Sequence, residues 1–284
     1  MMRSLLFVPG DSPRKFSKAI GTAADALILD LEDSVAASAK IAARDTVRDM
    51  LMSERGGKTL VVRVNAFDTD LTLADLAAVM PCRPDAVMLP KCRGGRDVAL
   101  LCNYLSAFEA ASGHAQGSTG IIPVATETGE SILGLATYEP HPRLRGMLWG
   151  AEDLIASINA TTNRDGDAYS GPFLLARNLC LMAASAAGVP AIDTVCTNLG
   201  DLDYVAAEAR AARRDGFGAK AIIHPNHVDP VNTAFKPTDE EIAWARTIID
   251  AFAGNPTQGV VQIDGKMIDK PHERAARRIL ALAD

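Results

Sequence analysis

The strongest constraint on the fold is an alternation that runs through the first four-fifths of the 284-residue chain. Short β-branched or Leu-rich runs, each stopped by a polar residue, Pro or Gly, are separated by longer Ala-rich amphipathic stretches. An apolar run of four to six residues is the length of a buried strand. When helical segments follow each one, the strands must lie parallel with helices crossing over between them. Strands are expected at 4–8, 26–31, 59–64, 86–89, 120–125, 145–149, 191–195 and 219–223, with helices at 13–22, 38–53, 73–80, 95–111, 130–138, 172–188 and 201–215. Asp11-Ser12-Pro13 reads as a helix start, and Gly188 and Gly216 as stops. Eight βα units in about 225 residues predict a closed (β/α)₈ TIM barrel, with a doubly wound open sheet as the alternative. After 235 the pattern changes. A helix opening at Thr238-Asp239-Glu240-Glu241, a Val-Val-Gln-Ile run, an Asp264-Gly265 turn and a basic helix from about His272 to Leu282 read as an appended helical and hairpin lid. The expected division is therefore a barrel over 1–235 and a lid segment over 236–284.

Charge and cysteine usage narrow the function classes. With 29 Lys and Arg against 35 Asp and Glu, the net charge is −6, which argues against a general nucleic-acid or membrane-surface binder. The soft stretch 179–189 is too short to span a bilayer. Five cysteines with no C-x-x-C pair suggest neither a disulfide framework nor a zinc ribbon, and the expected location is cytoplasmic. G-x-S-x-G, Walker A, G-x-G-x-x-G and H-E-x-x-H motifs are absent from the sequence.

In a barrel of this type the chemistry gathers where strands end and βα loops begin. Those positions are rich in carboxylates: Asp30, Glu32 and Asp33 after strand two, Glu127 after strand five, Glu152 and Asp153 after strand six. Arg63 and Asn65 lie at strand three, Lys91 follows strand four, and His224 follows strand eight. Hard carboxylate oxygens without His or Cys partners suit Mg²⁺, which takes one or two carboxylates and leaves its remaining positions to water and substrate. Glu127 and Asp153, on neighbouring strands, are the candidate metal pair. Arg63 offers a planar fork for a substrate carboxylate. Each acid alone reads equally as a helix cap or surface group, and Asp30 as structural. His224 reads either as a buried, hydrogen-bonded histidine or as a ligand contact, and His114, His141, His227 and His272 as surface groups.

These residues sit in longer motifs. Arg3-Ser4-Leu5-Leu6-Phe7-Val8-Pro9-Gly10, Leu29-Asp30-Leu31-Glu32-Asp33-Ser34-Val35, Val62-Arg63-Val64-Asn65, Met88-Leu89-Pro90-Lys91 and Glu127-Thr128-Gly129 occur in order. They are followed by Gly150-Ala151-Glu152-Asp153-Leu154, Ala191-Ile192-Asp193, Ile223-His224-Pro225 and Asp264-Gly265-Lys266-Met267-Ile268-Asp269. Together they resemble the citrate lyase β-subunit-like family, within the HpcH/HpaI aldolases that include malyl-CoA lyases, and the resemblance spans essentially the whole chain. It implies a (β/α)₈ barrel with a C-terminal lid, a homotrimer or hexamer, and Mg²⁺-dependent cleavage or formation of a carbon–carbon bond in a 3-hydroxyacyl-CoA thioester, with a 2-oxoacid as the other product. By position it makes Glu127 and Asp153 the Mg²⁺ ligands, Arg63 the carboxylate and oxyanion binder, and Glu32 and Asp33 residues that line the site through metal-bound water. It makes Asp269, reaching a neighbouring subunit's site, the general acid/base. Arg14 and Lys15 in the first βα loop are candidates for the coenzyme A phosphates. Relatives acting on free pyruvate carry a histidine-containing motif where this chain has Glu32-Asp33. Two other readings remain: a citrate lyase β subunit acting on an acyl-carrier-protein thioester within a complex, and a non-catalytic protein that binds a 2-oxoacid or CoA ester.

Overall fold

In the computed structural model, which describes residues 2–255 and 257–283, the chain divides into two compact units, 2–232 and a C-terminal one beginning at Thr233. The strands of the first unit are β1 Ser4–Pro9, β2 Ala26–Asp30, β3 Thr59–Arg63, β4 Ala86–Leu89, β5 Gly120–Pro123, β6 Met147–Leu148, β7 Arg164–Asp165, β8 Ala168–Tyr169, β9 Ala191–Asp193 and β10 Ala219–Ile222. Eight of them form one parallel sheet in the order β5-β4-β3-β2-β1-β10-β9-β6. Parallel bridges Ile121↔Leu144 and Val124↔Leu148 join its two outer strands, so the ring closes as the expected barrel. Its interior is filled by alternate residues, among them Leu5, Ile28, Val61, Met88, Ile122, Leu148, Ile192, Ala219 and Ala221. The residues between these point toward the helices, which is why the strands read as continuous apolar runs rather than alternating ones.

Differences from expectation have local causes. The helix expected over 130–138 breaks into Gly129–Leu133 and a 3₁₀ turn Leu135–Thr137. A Cβ on the intervening Gly134 would stand 1.9 Å from the Arg93 carbonyl oxygen, so the backbone of the β4 loop presses on this point. The β7–β8 hairpin, which turns at Gly166 with φ 61°, and the helices Glu152–Ser157 and Val228–Ala234 were not expected. His227 is fully buried, against the expected surface placement, because the turn Pro225–His227 folds inward before the next helix.

The C-terminal unit contains helices Asp239–Ala253 and Lys270–Ala283 and the hairpin of β11 Val260–Ile263 with β12 Lys266–Asp269. Thr238 and Glu241 form a reciprocal capping box at the first helix, satisfying two otherwise unpaired N–H groups. Asp264 and Gly265 both take positive φ, 51° and 76°, as a two-residue hairpin turn requires. The unit has its own core of Ala245, Ile248, Phe252, Val261, Ile268 and Ala276.

Candidate active site

Four barrel strands, β2, β3, β5 and β6, deliver a cluster of charge to one cavity of about 350 Å³, lined by Asp30, Asp33, Arg63, Glu127 and Asp153 and by apolar groups such as Phe7, Leu148 and Ile223. Asp30 and Arg63 are register partners on adjacent strands. The Asp30 carboxylate accepts from Arg63 Nε at 2.7 Å and Nη2 at 2.8 Å, and from the backbone N–H groups of Glu32 and Ser34 at 2.9 and 3.0 Å. This fork-on-fork pairing holds the Asp30 carboxyl below the usual range against the opposing effect of burial, and raises the guanidinium of Arg63. Asp30 is therefore structural in a specific sense, since it fixes both the β2 loop and the orientation of Arg63. Arg63 stacks 4.9 Å over the Phe7 ring and turns its remaining nitrogen, Nη1, to Glu32 at 3.0 Å and Asp33 at 3.5 Å. Lys40 Nζ donates to the Leu31 and Glu32 carbonyls, both at 2.9 Å, closing the other side of the loop.

Glu127 lies four residues beyond the end of β5 and is buried. Gly150 makes room for it: a Cβ there would meet Glu127 Cγ at 2.7 Å. Thr126 Oγ1 accepts from the Gly150 N–H and donates to its carbonyl oxygen, tying the ends of β5 and β6 together. Asp153, in the first turn of helix Glu152–Ser157, is a third exposed and belongs to the same cavity. Lys91 joins the acids. Its backbone N–H donates to Glu127 Oε2 at 2.5 Å, and its ammonium lies 2.5 Å from Glu32 Oε1 and 3.4 Å from Asp153 Oδ1. It does so with φ 50°, a left-handed conformation that costs an L residue roughly 1–2 kcal/mol.

Five carboxylates thus face two cations. Burial, then the charges of Glu32 and Asp153, push the Glu127 carboxyl up to about 8, and burial also raises Glu32. Glu32 Oε2 has no hydrogen bond of good geometry, although it lies within ion-pair reach of Arg63. Among the described residues no three His, Cys, Asp or Glu side chains form a ready-made metal cage. Mg²⁺ does not need one, because two carboxylates with water and substrate complete its octahedron. A buried, oxygen-only cluster short of positive charge is the donor set such an ion requires, so Glu127 and Asp153 fit it.

Arg14 and Lys15 are exposed on the first βα helix. Asp269 belongs to the C-terminal unit, where its carboxylate meets His272 Nδ1 at 2.6 Å and is held below the usual range by that contact. His224 accepts a hydrogen bond from the Asn226 N–H at 3.2 Å as the cap of the turn that follows it. Asn65 donates to Asp75 and to the Leu31 carbonyl and so serves the scaffold. Sequence reasoning assigned no role to Lys91; a lysine directly after a buried strand, among so many acids, was the available signal.

The model of the HpcH/HpaI aldolase/citrate lyase family matches residues 3–225, and that of the C–C bond lyases of the TIM-barrel fold matches 179–284. The chain is 35% identical to the (3S)-malyl-CoA thioesterase of Cereibacter sphaeroides, covering 99% of this chain and 94% of that one. It is 36% identical to the citrate lyase subunit beta of Escherichia coli, covering 99% and 93%. The solved structure of CitE from Mycobacterium tuberculosis, in complex with magnesium, acetoacetate and coenzyme A, superposes with a TM-score of 0.81 at 34% identity, covering 99% and 98%. By the family model over residues 3–225 and by relatives matched along 99% of its length, the chain belongs to the HpcH/HpaI aldolase/citrate lyase family.

Proposed function

We propose that the protein is a Mg²⁺-dependent carbon–carbon lyase acting on a short 3-hydroxy dicarboxylyl-CoA such as malyl-CoA or citramalyl-CoA, giving a 2-oxoacid and an acyl-CoA. The observation that carries this reading is the carboxylate excess around one cavity, with the Glu127 carboxyl pushed up to about 8 by burial and by its acidic neighbours. Glu127 and Asp153 would hold the metal, which supplies Lewis-acid stabilisation of the oxygens of the oxoacid portion. Arg63, its orientation set by Asp30, binds the substrate carboxylate and offsets charge on the developing carbonyl oxygen. Glu32 and Asp33 line the site through water. Transfer of the hydroxyl proton to water would let the carbon–carbon bond break, and its electron pair would pass to the thioester as an enolate. Asp269 is the general acid/base: it protonates the enolate carbon in cleavage, or removes the acyl-CoA proton in condensation. Arg14 and Lys15 meet the coenzyme A phosphates.

A homotrimer or hexamer, with each C-terminal segment serving a neighbour's site, completes this reading. The outer face of helix Gly171–Ala186 supports association, because Leu174, Leu175, Leu179 and Met182 are exposed there without a charged residue among them. Light scattering tests it, and a monomer at all concentrations would exclude the shared site. A cytoplasmic location is consistent with five free thiols. Among the described residues no helix is long and apolar enough to cross a membrane. The comparable identity to citrate lyase subunit beta favours a second reading, action on a citryl-acyl-carrier-protein within a complex.

The test is an assay of the purified protein with malyl-, citramalyl- and citryl-CoA, following glyoxylate, pyruvate, oxaloacetate and free coenzyme A. Oxoacid release that is abolished by EDTA and by Asp269→Asn is the expected result. Free coenzyme A in step with the oxoacid would add thioester hydrolysis. No turnover of any of them, with tight binding of one, would replace the CoA-lyase reading by the carrier-protein or the binding role.

A further inference from the structure

Lys91 has two separate handles on the acidic cluster. Its backbone N–H holds Glu127 at 2.5 Å, while its side chain doubles back so that the ammonium lies between Glu32 Oε1 at 2.5 Å and Asp153 Oδ1 at 3.4 Å. The backbone of Lys91 is left-handed here, at φ 50°, an uncommon conformation for an L residue. A Mg²⁺ ion on Asp153 would stand about 2.0–2.1 Å from its carboxylate oxygen. An ammonium 3.4 Å from that same oxygen would then be a few ångströms from a divalent charge, in a site where water screens poorly. Like charges at that distance repel, so the ion and the ammonium compete for Asp153.

The surroundings provide a second position for the lysine. It also lines an adjoining cavity of about 420 Å³ together with Asp68, Arg93, Thr128, Glu130 and Ser157. Asp68 and Glu130, whose charges also act on Arg93, make the lining of this cavity acidic, and the four-methylene stem of lysine is flexible. Because Glu127 is held by the main chain, it keeps its anchor in both positions.

We infer that Lys91 is the resident counter-cation of the metal-free site, displaced into the adjoining cavity when the divalent ion binds, and that this exchange sets the metal affinity. The inference rests on the assignment of the metal to Glu127 and Asp153 and extends it to a residue that touches the ligands without being one. Removing the ammonium leaves Asp153 without its neighbouring cation and Glu32 with Arg63 alone, so the vacated site competes better for an external one. A lysine that only supported the loop would have the opposite effect when removed, since a disordered site binds metal less well.

The test is calorimetric titration of Mn²⁺ into the full-length wild type, Lys91→Met and Lys91→Arg, with melting temperatures recorded with and without the ion. The expected result is that Lys91→Met binds Mn²⁺ at least about tenfold more tightly, while Lys91→Arg, which keeps the charge, stays close to wild type. Should Lys91→Met fail to fold, Lys91→Gln carries the same expectation. Acetylation of Lys91 by an amine-reactive reagent, mapped by mass spectrometry on the wild type, should rise when Mn²⁺ saturates the site. Equal or weaker Mn²⁺ binding by the neutral variants would overturn the inference while leaving the metal assignment intact. A wild type that binds no Mn²⁺ at all would remove the metal assignment itself.

Discussion

The barrel carries two buried clusters of charge, and they are built in opposite ways. One lies between β9, β10 and the helix layer. There Lys220, fully buried, is bonded to Asp193 at 2.7 Å and the Thr194 carbonyl at 2.8 Å, with Glu208 at 3.6 Å. Arg177 reaches Asp193 at 3.6 Å and Asp215 at 2.9 Å and stacks 4.5 Å over Phe217, while Arg164 pairs with Glu208. Trp149 Nε1 donates to the remaining oxygen of Asp193 at 2.7 Å. Three cations therefore face three carboxylates, each within ion-pair reach of an opposite charge, and the exposed Arg214 adds a further contact to Asp215 at 3.2 Å. The other cluster sets two cations, Arg63 and Lys91, against Asp30, Glu32, Asp33, Glu127 and Asp153. Folding alone favours the balanced arrangement, because an uncompensated buried charge is costly. A cluster that is kept unbalanced, around a cavity, is waiting for a cation or an anionic substrate with one.

This contrast can be broken most sharply by Lys220→Met. It leaves Asp193 buried without its main partner and should cost about 3–5 kcal/mol in urea denaturation. A loss under 1 kcal/mol would mean that the pair contributes little. Glu127→Gln should act with the opposite sign, stabilising the metal-free protein at pH 8 by on the order of 1 kcal/mol or more. The unfolded chain ionises this carboxyl near 4.5, whereas the folded protein holds its proton up to about 8. The penalty therefore accumulates as pH rises between those values and levels off above, and the advantage of the variant should fade toward pH 4.5. Divalent-ion affinity should follow the same group, since the ion must displace its proton. Calorimetry across pH 6 to 9 should show affinity falling about tenfold per unit below about 8, with a plateau above it. A flat profile would contradict the role given to Glu127. The smallest effects belong to Arg14→Ala and Lys15→Ala, which should leave stability within about 0.5 kcal/mol and weaken CoA-ester binding a few-fold in a titration.

Much of this was legible in the sequence because the barrel writes itself as eight buried runs, each long enough to stand out from the helices. The exceptions were elements too short to show a period, such as the two-residue strands of the β7–β8 hairpin and helix Glu152–Ser157. The Asp264-Gly265 turn was visible because few residues tolerate two positive φ angles in succession. At the site, the acids were visible as residues at strand ends, but their partners were not. That Asp30 would grip Arg63 follows only from the register of β2 against β3, which places them side by side. His227 was misplaced because its burial depends on a turn folding inward after the last barrel strand, which no local pattern announces.

The most direct measurement of the difference between the two clusters is an EPR titration of Mn²⁺ into the wild type, Glu127→Gln and Asp215→Asn, all confirmed as folded. A single tightly bound ion per chain, lost in Glu127→Gln and retained in Asp215→Asn, is the expected result. Tight binding that survives Glu127→Gln, or that disappears with Asp215→Asn, would contradict the assignment of the unbalanced cluster as the metal-dependent site.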